Sequence, residues 1–69
     1  MTQINSRYAL ETNGEASFRV VDLYRQTVVG DFWSTQGCWA FQLEDGRSRF
    51  GGYTKVFASL KRMLAKVGA

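Results

Sequence analysis

Apolar and polar residues alternate most regularly near the middle of the chain. Residues 39–43 read Trp-Ala-Phe-Gln-Leu, which is the period-two pattern of a half-buried β-strand. Asp45-Gly46 follows closely, and Asp-Gly between two such runs predicts a β-hairpin with a two-residue type I′ turn. The returning strand is predicted over residues 47–53. The other predicted elements are arranged around this hairpin.

A two-residue turn fixes which side chains share a face of this hairpin, because neighbouring residues in a strand point to opposite sides. On the buried face, Phe41 is expected to lie opposite Phe50. The other face is expected to be polar and open to solvent. Its predicted residues are Gln42, Arg47, Arg49 and Tyr53.

The N-terminal half of the chain predicts three further strands. Residues 7–12 and 15–24 flank Asn13-Gly14, which is a second type I′ turn signal. Residues 27–33 are rich in β-branched and aromatic residues, and Gly30 among them suggests a bulge or a close backbone approach. The first six residues are mostly polar and are expected to fray. These patterns predict an antiparallel β-meander of about four to five strands.

The C-terminal segment predicts one amphipathic helix from Thr54, as N-cap, to Gly68. Its apolar residues recur at helical spacing and form one stripe. This stripe comprises Val56, Phe57, Leu60, Met63, Leu64 and Val67. At about 100° per residue, Lys55, Arg62 and Lys66 fall together on the far side. Packing the stripe on the hairpin gives an α+β fold, in which the meander packs on one C-terminal α-helix.

Composition narrows the classes of protein to which the chain can belong. Its 69 residues suit one domain, residues 1–69, with one core. A single cysteine, Cys38, excludes an intrachain disulfide and suits a reducing compartment. The lack of histidine argues against a zinc site, and no apolar run reaches the length of a membrane span. We therefore expect a cytoplasmic protein with no metal, no cofactor and no membrane partner.

Positive charge is concentrated in the second half of the chain. Residues 1–34 contain three Arg and four acidic residues, whereas residues 35–69 contain six Lys or Arg and two acidic residues. Such asymmetry raises the expectation of an anionic partner. The predicted nucleic-acid-binding residues are Gln42, Arg47, Arg49, Tyr53, Lys55, Arg62 and Lys66. The alternative interpretation is an ordinary solvated strand face beside an ordinary surface helix.

The polar residues form no recognisable active-site pattern. Histidine, the most common general base near neutral pH, is absent. Glu15, Glu44 and Asp45 lie at or beside predicted turns, where such residues usually serve turn geometry and solvation. Gly51-Gly52 is not a phosphate-binding loop, because Lys followed by Ser or Thr does not come after it in that order. The sequence therefore predicts a non-enzymatic protein without catalytic residues.

Residues 39–67 resemble the small arm-type DNA-binding domains of phage-type integrases. The matching features are Trp39-Ala40-Phe41, Leu43, Asp45-Gly46, Gly51-Gly52-Tyr53 and a helix that begins near Thr54. The plant ethylene-response DNA-binding domain has a similar plan, and the strand-strand-strand-helix fold of single-stranded-DNA-binding coactivators is similar to a comparable degree. The resemblance implies a sheet laid in the major groove, with Gln42, Arg47, Arg49 and Tyr53 in contact with DNA. The additional N-terminal hairpin departs from this plan.

Two functions of different classes are consistent with these patterns. The first is a small nucleic-acid-binding module of a regulator or mobile element, which binds duplex or single strands. The second is a stand-alone protein-interaction module, such as a phage-type inhibitor or a subunit accessory, anchored by exposed aromatic residues. A homodimer formed through an edge strand is compatible with both.

Overall fold

A computed structural model describes the backbone of residues 1–68 and the side chains of residues 1–65. Six antiparallel strands form one sheet in which each strand pairs with its neighbours in sequence, and one helix follows. The elements are β1 (Thr2–Gln3), β2 (Tyr8–Thr12), β3 (Ser17–Asp22), β4 (Thr27–Thr35), β5 (Cys38–Leu43), β6 (Ser48–Gly51) and α1 (Tyr53–Gly68). Within these described residues, no helix is both long and apolar enough to cross a membrane.

The α+β class, the antiparallel meander and the single C-terminal helix are confirmed, but the sheet has six strands rather than four to five. The additional strand is β1, which lies in the segment expected to fray. The turn that returns β1 to β2 is held by the side chain of Asn5. Its Oδ1 accepts hydrogen bonds of 2.8 Å from the backbone amides of Arg7 and Tyr8. This local capping orders a segment that has little apolar content of its own.

The turn between β2 and β3 is longer than the Asn13-Gly14 signal predicts. Thr12 is the last residue of β2 and Ser17 is the first of β3, so four residues connect the strands. A type I′ turn requires positive φ at both central residues. In this loop, Gly14 has a φ of 107° and Ala16 a φ of 50°, whereas Asn13 does not adopt the left-handed region. The signal therefore located the turn correctly and gave the wrong loop length.

The expected irregularity near Gly30 is confirmed as a bulge in β4. Val20 of β3 lies opposite Gly30, and Val21 lies opposite Val28, so Val29 is the extra residue on β4. Gly30 also lies against β5. A Cβ atom at this position would stand 2.6 Å from the backbone oxygen of Gln42, which is too close for any larger residue without movement of the backbone.

One face of the sheet packs against α1 and forms the core. The buried apolar residues of this core are Ile4, Tyr8, Leu10, Val20, Val29, Phe32, Phe41, Leu43, Val56, Leu60 and Leu64. Phe57 and Met63 of the predicted helix stripe are partly buried against them, whereas the side chain of Val67 lies outside the described residues. The helix begins at Tyr53, and the oxygen of Gly52 accepts a 3.0 Å hydrogen bond from the Val56 amide. Gly52 is therefore the N-cap rather than Thr54.

A buried ion pair joins β3 to the segment before β2. Asp22 is 1% exposed, and its Oδ2 accepts a 2.8 Å hydrogen bond from Nη2 of Arg7. Its Oδ1 also accepts hydrogen bonds from the amides of Tyr24 and Arg25, at 3.0 and 3.2 Å. The Arg7 side chain lowers the pKa of the Asp22 carboxyl, and the amide of Arg25 adds to this effect against the opposing effect of burial.

Candidate functional site: a basic cleft between β6 and α1

The hairpin of β5 and β6 has a three-residue loop, one residue longer than predicted. The Leu43 amide donates a 2.8 Å hydrogen bond to the oxygen of Arg47, and the Gly46 amide donates a 2.9 Å bond to the oxygen of Leu43. Gly46 has a φ of 95°, as in a type I turn followed by a left-handed residue, which is a common three-residue hairpin loop. Asp45 supports the loop by accepting a 3.0 Å bond from the Arg47 amide at Oδ1.

This single extra residue reverses the two faces of β6, because side chains alternate along a strand. Arg49 lies opposite Phe41, and Phe50 lies opposite Ala40. Phe41 is fully buried beneath α1, so Arg49 lies on the helix side of the sheet, at its margin. Phe50 lies on the opposite, open face and is 68% exposed. The predicted pairing of Phe41 with Phe50 is therefore wrong.

The same reversal corrects the predicted polar face. Gln42 is exposed on the open face, opposite Ser48. Arg47 and Arg49 instead have the orientation of Leu43 and Phe41, toward the helix. The predicted open-face group of Gln42, Arg47 and Arg49 is thus divided between the two sides of the hairpin.

Tyr53 is also placed differently from the prediction. It is the first residue of α1 rather than the last of a strand. Its ring stacks on Phe57 with centroids 5.7 Å apart and an interplanar angle of 5°, and it meets Trp39 edge-on at 5.2 Å. The ring therefore belongs to an aromatic cluster beside α1, although the residue is 49% exposed.

The structure brings together arginines that the sequence assigned to separate patches. A cleft of about 230 Å³ lies between β6 and α1, and we call it the basic cleft. It is lined by Arg47, Arg49, Ser59, Arg62 and Met63. Sequence reasoning missed Ser59, although it lies on the same helical stripe as Lys55 and Arg62 at 100° per residue. Strand and helix residues converge here because β6 leads into α1 through Gly52 alone.

Two of the three arginines have no carboxylate partner within the described part of the chain. Arg47 pairs with Asp45 through a 2.8 Å contact between Nε and Oδ2, and the amide and guanidinium of Arg47 lower the pKa of this carboxyl. Nη1 of Arg49 donates to the backbone oxygen of Ser48 at 3.1 Å. Arg49 and Arg62 form no ion pair with a described residue. Their charges are therefore available to an external anion.

The remaining predicted cations lie along the helix. Lys55 is exposed one turn before Ser59 on the same stripe, so it extends the basic surface beyond the cleft. Lys66 is part of α1, but its side chain lies outside the described residues. Lys61 is exposed on another flank of the helix, about 100° from Arg62.

The open face of the sheet has a different electrostatic character. One row of paired residues crosses this face from β2 to β6. Its members, in strand order, are Glu11, Arg19, Asp31, Gln42 and Ser48. Nη1 of Arg19 contacts Oε1 of Glu11 at 3.4 Å, so this row holds two acids and one base. A polyanion laid flat on this face would meet Asp31 directly. The open face is therefore mixed in charge, unlike the basic cleft.

Within the described residues, no three His, Cys, Asp or Glu side chains are placed to hold a metal ion together. Cys38 is a half-buried free thiol at the start of β5. Among the side chains that the structure describes, the basic cleft holds the clearest group of like charges, and two of its three arginines form no ion pair. No protein-family model, curated protein sequence or solved structure matches this chain.

Proposed function

We propose that this protein is a small, non-enzymatic nucleic-acid-binding module, and that the basic cleft makes its phosphate contacts. The observation that carries the proposal is the convergence of Arg47, Arg49 and Arg62 from two elements on one cleft. The planar fork of a guanidinium matches phosphate oxygens through paired hydrogen bonds. Arg49 and Arg62 make no competing ion pair with a described carboxylate, so their binding to phosphate does not require an internal ion pair to break.

The surroundings of the cleft support a phosphate chain as its ligand. The Ser59 hydroxyl can donate a further hydrogen bond to a phosphate oxygen. No acidic residue follows Asp45 in the sequence, so nothing on α1 opposes the positive potential of the cleft. Lys55 continues the same stripe toward the N-terminus of the helix, which suits a ligand with several charges in line.

The test compares two double variants with the same net charge. Arg49→Ala with Arg62→Ala removes the two unpaired arginines of the cleft. Arg19→Ala with Lys61→Ala removes two cations from elsewhere, and the exposed Arg19–Glu11 pair contributes little to stability. Binding of fluorescently labelled duplex and single-stranded oligonucleotides is followed by anisotropy at low salt.

We expect the cleft variant to bind about tenfold more weakly or worse, since two charge-assisted contacts are lost. The control variant should stay within about threefold of the wild type, because it loses only long-range attraction. Equal losses in both variants would mean that net charge alone, and not the cleft, attracts the nucleic acid. A wild-type protein that binds no oligonucleotide would overturn the proposal.

A protein-interaction module is the second candidate, and exposed apolar side chains on the open face favour it. Phe50 is 68% exposed and Val28 is 51% exposed, and exposed aromatic residues often anchor protein interfaces. The outer edge of β6 is also unpaired in the sheet, which would allow a second copy to add to it. Sedimentation velocity over a range of concentrations would reveal such a homodimer.

A further inference from the structure

The open face of the sheet carries a second hollow that reaches the same edge as the basic cleft. This hollow has a volume of about 530 Å³, and we call it the aromatic slot. Its lining includes Trp33, Ala40, Gln42, Ser48, Arg49 and Phe50. Arg49 lines both the aromatic slot and the basic cleft. The two hollows therefore adjoin at β6, one on each side of the sheet.

The aromatic slot is formed by one row of side chains across three strands. Trp33 lies opposite Ala40, and Ala40 lies opposite Phe50. Since adjacent strands are about 4.8 Å apart, the backbones of Trp33 and Phe50 are about 10 Å apart. The small side chain of Ala40 is buried between them and lines the base of the hollow. Trp33 and Phe50 both line the hollow, one on each side of Ala40.

The aromatic residues on both sides and the small residue between them suit a flat heterocycle that enters edge-on. A ring held between two aromatic planes needs about 7 Å between them, which is twice the 3.4 Å spacing of stacked bases. Neither Trp33 nor Phe50 stacks on another aromatic ring in the described part of the chain. In the next row, Gln42 and Ser48 are exposed and offer an amide and a hydroxyl to the edge of such a ring.

The free edge of β6 connects the two hollows. The Leu43–Arg47 pair is hydrogen-bonded, so the alternation of an antiparallel ladder directs the backbone groups of Ser48 and Phe50 outward. A ligand that crosses this edge meets the outward N–H groups of Ser48 and Phe50 and the Phe50 carbonyl, whereas the Ser48 oxygen already accepts a 3.1 Å hydrogen bond from Nη1 of Arg49. It also meets a guanidinium on the helix side and an aromatic ring on the open side.

We infer that the ligand is a single-stranded nucleic acid, with one base stacked in the aromatic slot and its flanking phosphates bound by Arg49 and Arg62. This inference rests on the proposed function and names its substrate class. A single strand can turn around an edge and present an unstacked base. An intact duplex keeps its bases inside the helix and reaches the slot only by flipping a base out.

The experiment measures anisotropy with a labelled oligothymidylate and with a mixed-sequence duplex, for the wild type, Phe50→Ala and Tyr24→Ala. Tyr24 is a matched control because it is also 68% exposed and lies in the turn between β3 and β4. We expect the wild type to bind the single strand at least about tenfold more tightly than the duplex. Phe50→Ala should weaken single-strand binding by about tenfold and leave duplex binding unchanged, whereas Tyr24→Ala should leave both unchanged.

Tryptophan fluorescence gives a second measurement that does not depend on affinity. The protein has two tryptophans, Trp33 and Trp39, and only Trp33 lies in the slot. Saturation with oligothymidylate should quench part of the wild-type emission, because a stacked base quenches an indole. Trp33→Phe keeps an aromatic wall, so it should retain binding while it loses most of the quenching.

The possible results distinguish a failure of the single-strand inference from a failure of the proposed function. Equal affinity for duplex and single strand, or losses that are the same for Phe50→Ala and Tyr24→Ala, would overturn the single-strand inference and leave the proposed function intact. Polyglutamate that competes as well as oligothymidylate at equal charge would also overturn it. Absence of binding to both nucleic acids at low salt would overturn the proposed function, and this inference with it.

Discussion

At the scale of the residue, Asp22 shows how strongly one buried charge can depend on its partners. The carboxylate is 1% exposed and accepts hydrogen bonds from the side chain of Arg7 and from two backbone amides. A buried carboxylate is tolerated only when it is paired and hydrogen-bonded in this way. Asp22 therefore joins the β3–β4 turn to the start of β2.

Stability should fall on acidification because of this residue. Arg7 holds the folded-state pKa of Asp22 below its ordinary value of 3.8. The carboxylate's contribution is thus fully present above about pH 4 and is lost as the pH falls through the lowered pKa. Asp22→Asn should be less stable than the wild type at pH 7, and this difference should shrink below about pH 4.

Urea unfolding between about pH 7 and pH 3 measures this difference directly. Asp31→Asn is the control, because Asp31 is exposed and makes no ion pair with a described residue. It should stay within about 0.5 kcal/mol of the wild type. A gap between wild type and Asp22→Asn that is constant across the whole range would contradict the ion-pair explanation.

At the scale of the element, the β5–β6 hairpin determines on which side of the sheet Gln42, Arg47 and Arg49 lie. Its three-residue loop buries Phe41 and exposes Phe50, whereas a two-residue loop would place both rings in the core. Phe41→Ala should therefore reduce the free energy of unfolding by about 3–5 kcal/mol. Phe50→Ala should change it by about 0.5 kcal/mol or less, as for most surface substitutions.

Urea denaturation of the two variants, with a common m-value, distinguishes these registers. Similar large losses for Phe41→Ala and Phe50→Ala would show that both rings are buried. In that case Arg49 would lie on the open face, and the basic cleft would not exist in the form described.

The sequence predicted the elements well and the candidate site only in part. Alternation over residues 39–43 and the helical apolar stripe depend on local periodicity, so they indicate the strand, the helix and the α+β class directly. Asp45-Gly46 marks a hairpin but is compatible with more than one loop length. The three-residue loop is closed by the hydrogen bond between Leu43 and Arg47, and the alternation of residues 39–43 does not indicate which residue of the returning strand makes this pair. One residue of register then exchanged the positions of Arg49 and Phe50.

At the scale of the whole molecule, charge and aromatic surface are distributed around one sheet edge. The helix side of β6 carries the basic cleft, the open side carries the aromatic slot, and Arg49 lines both. The mixed charges of Glu11, Arg19 and Asp31 occupy the centre of the open face. This arrangement would direct a polyanion to the β6 edge and away from the rest of the sheet.

The central claim is that the arginines of the cleft neutralise phosphates, and the salt dependence of binding tests it most directly. Neutralising three to four phosphates of a single strand predicts a slope of log K against log salt of roughly −2 to −3. For Arg49→Ala with Arg62→Ala, the slope should become shallower, to roughly −1. Arg19→Ala with Lys61→Ala should keep the wild-type slope. The same slope in all three proteins would contradict the claim that the basic cleft is the binding site.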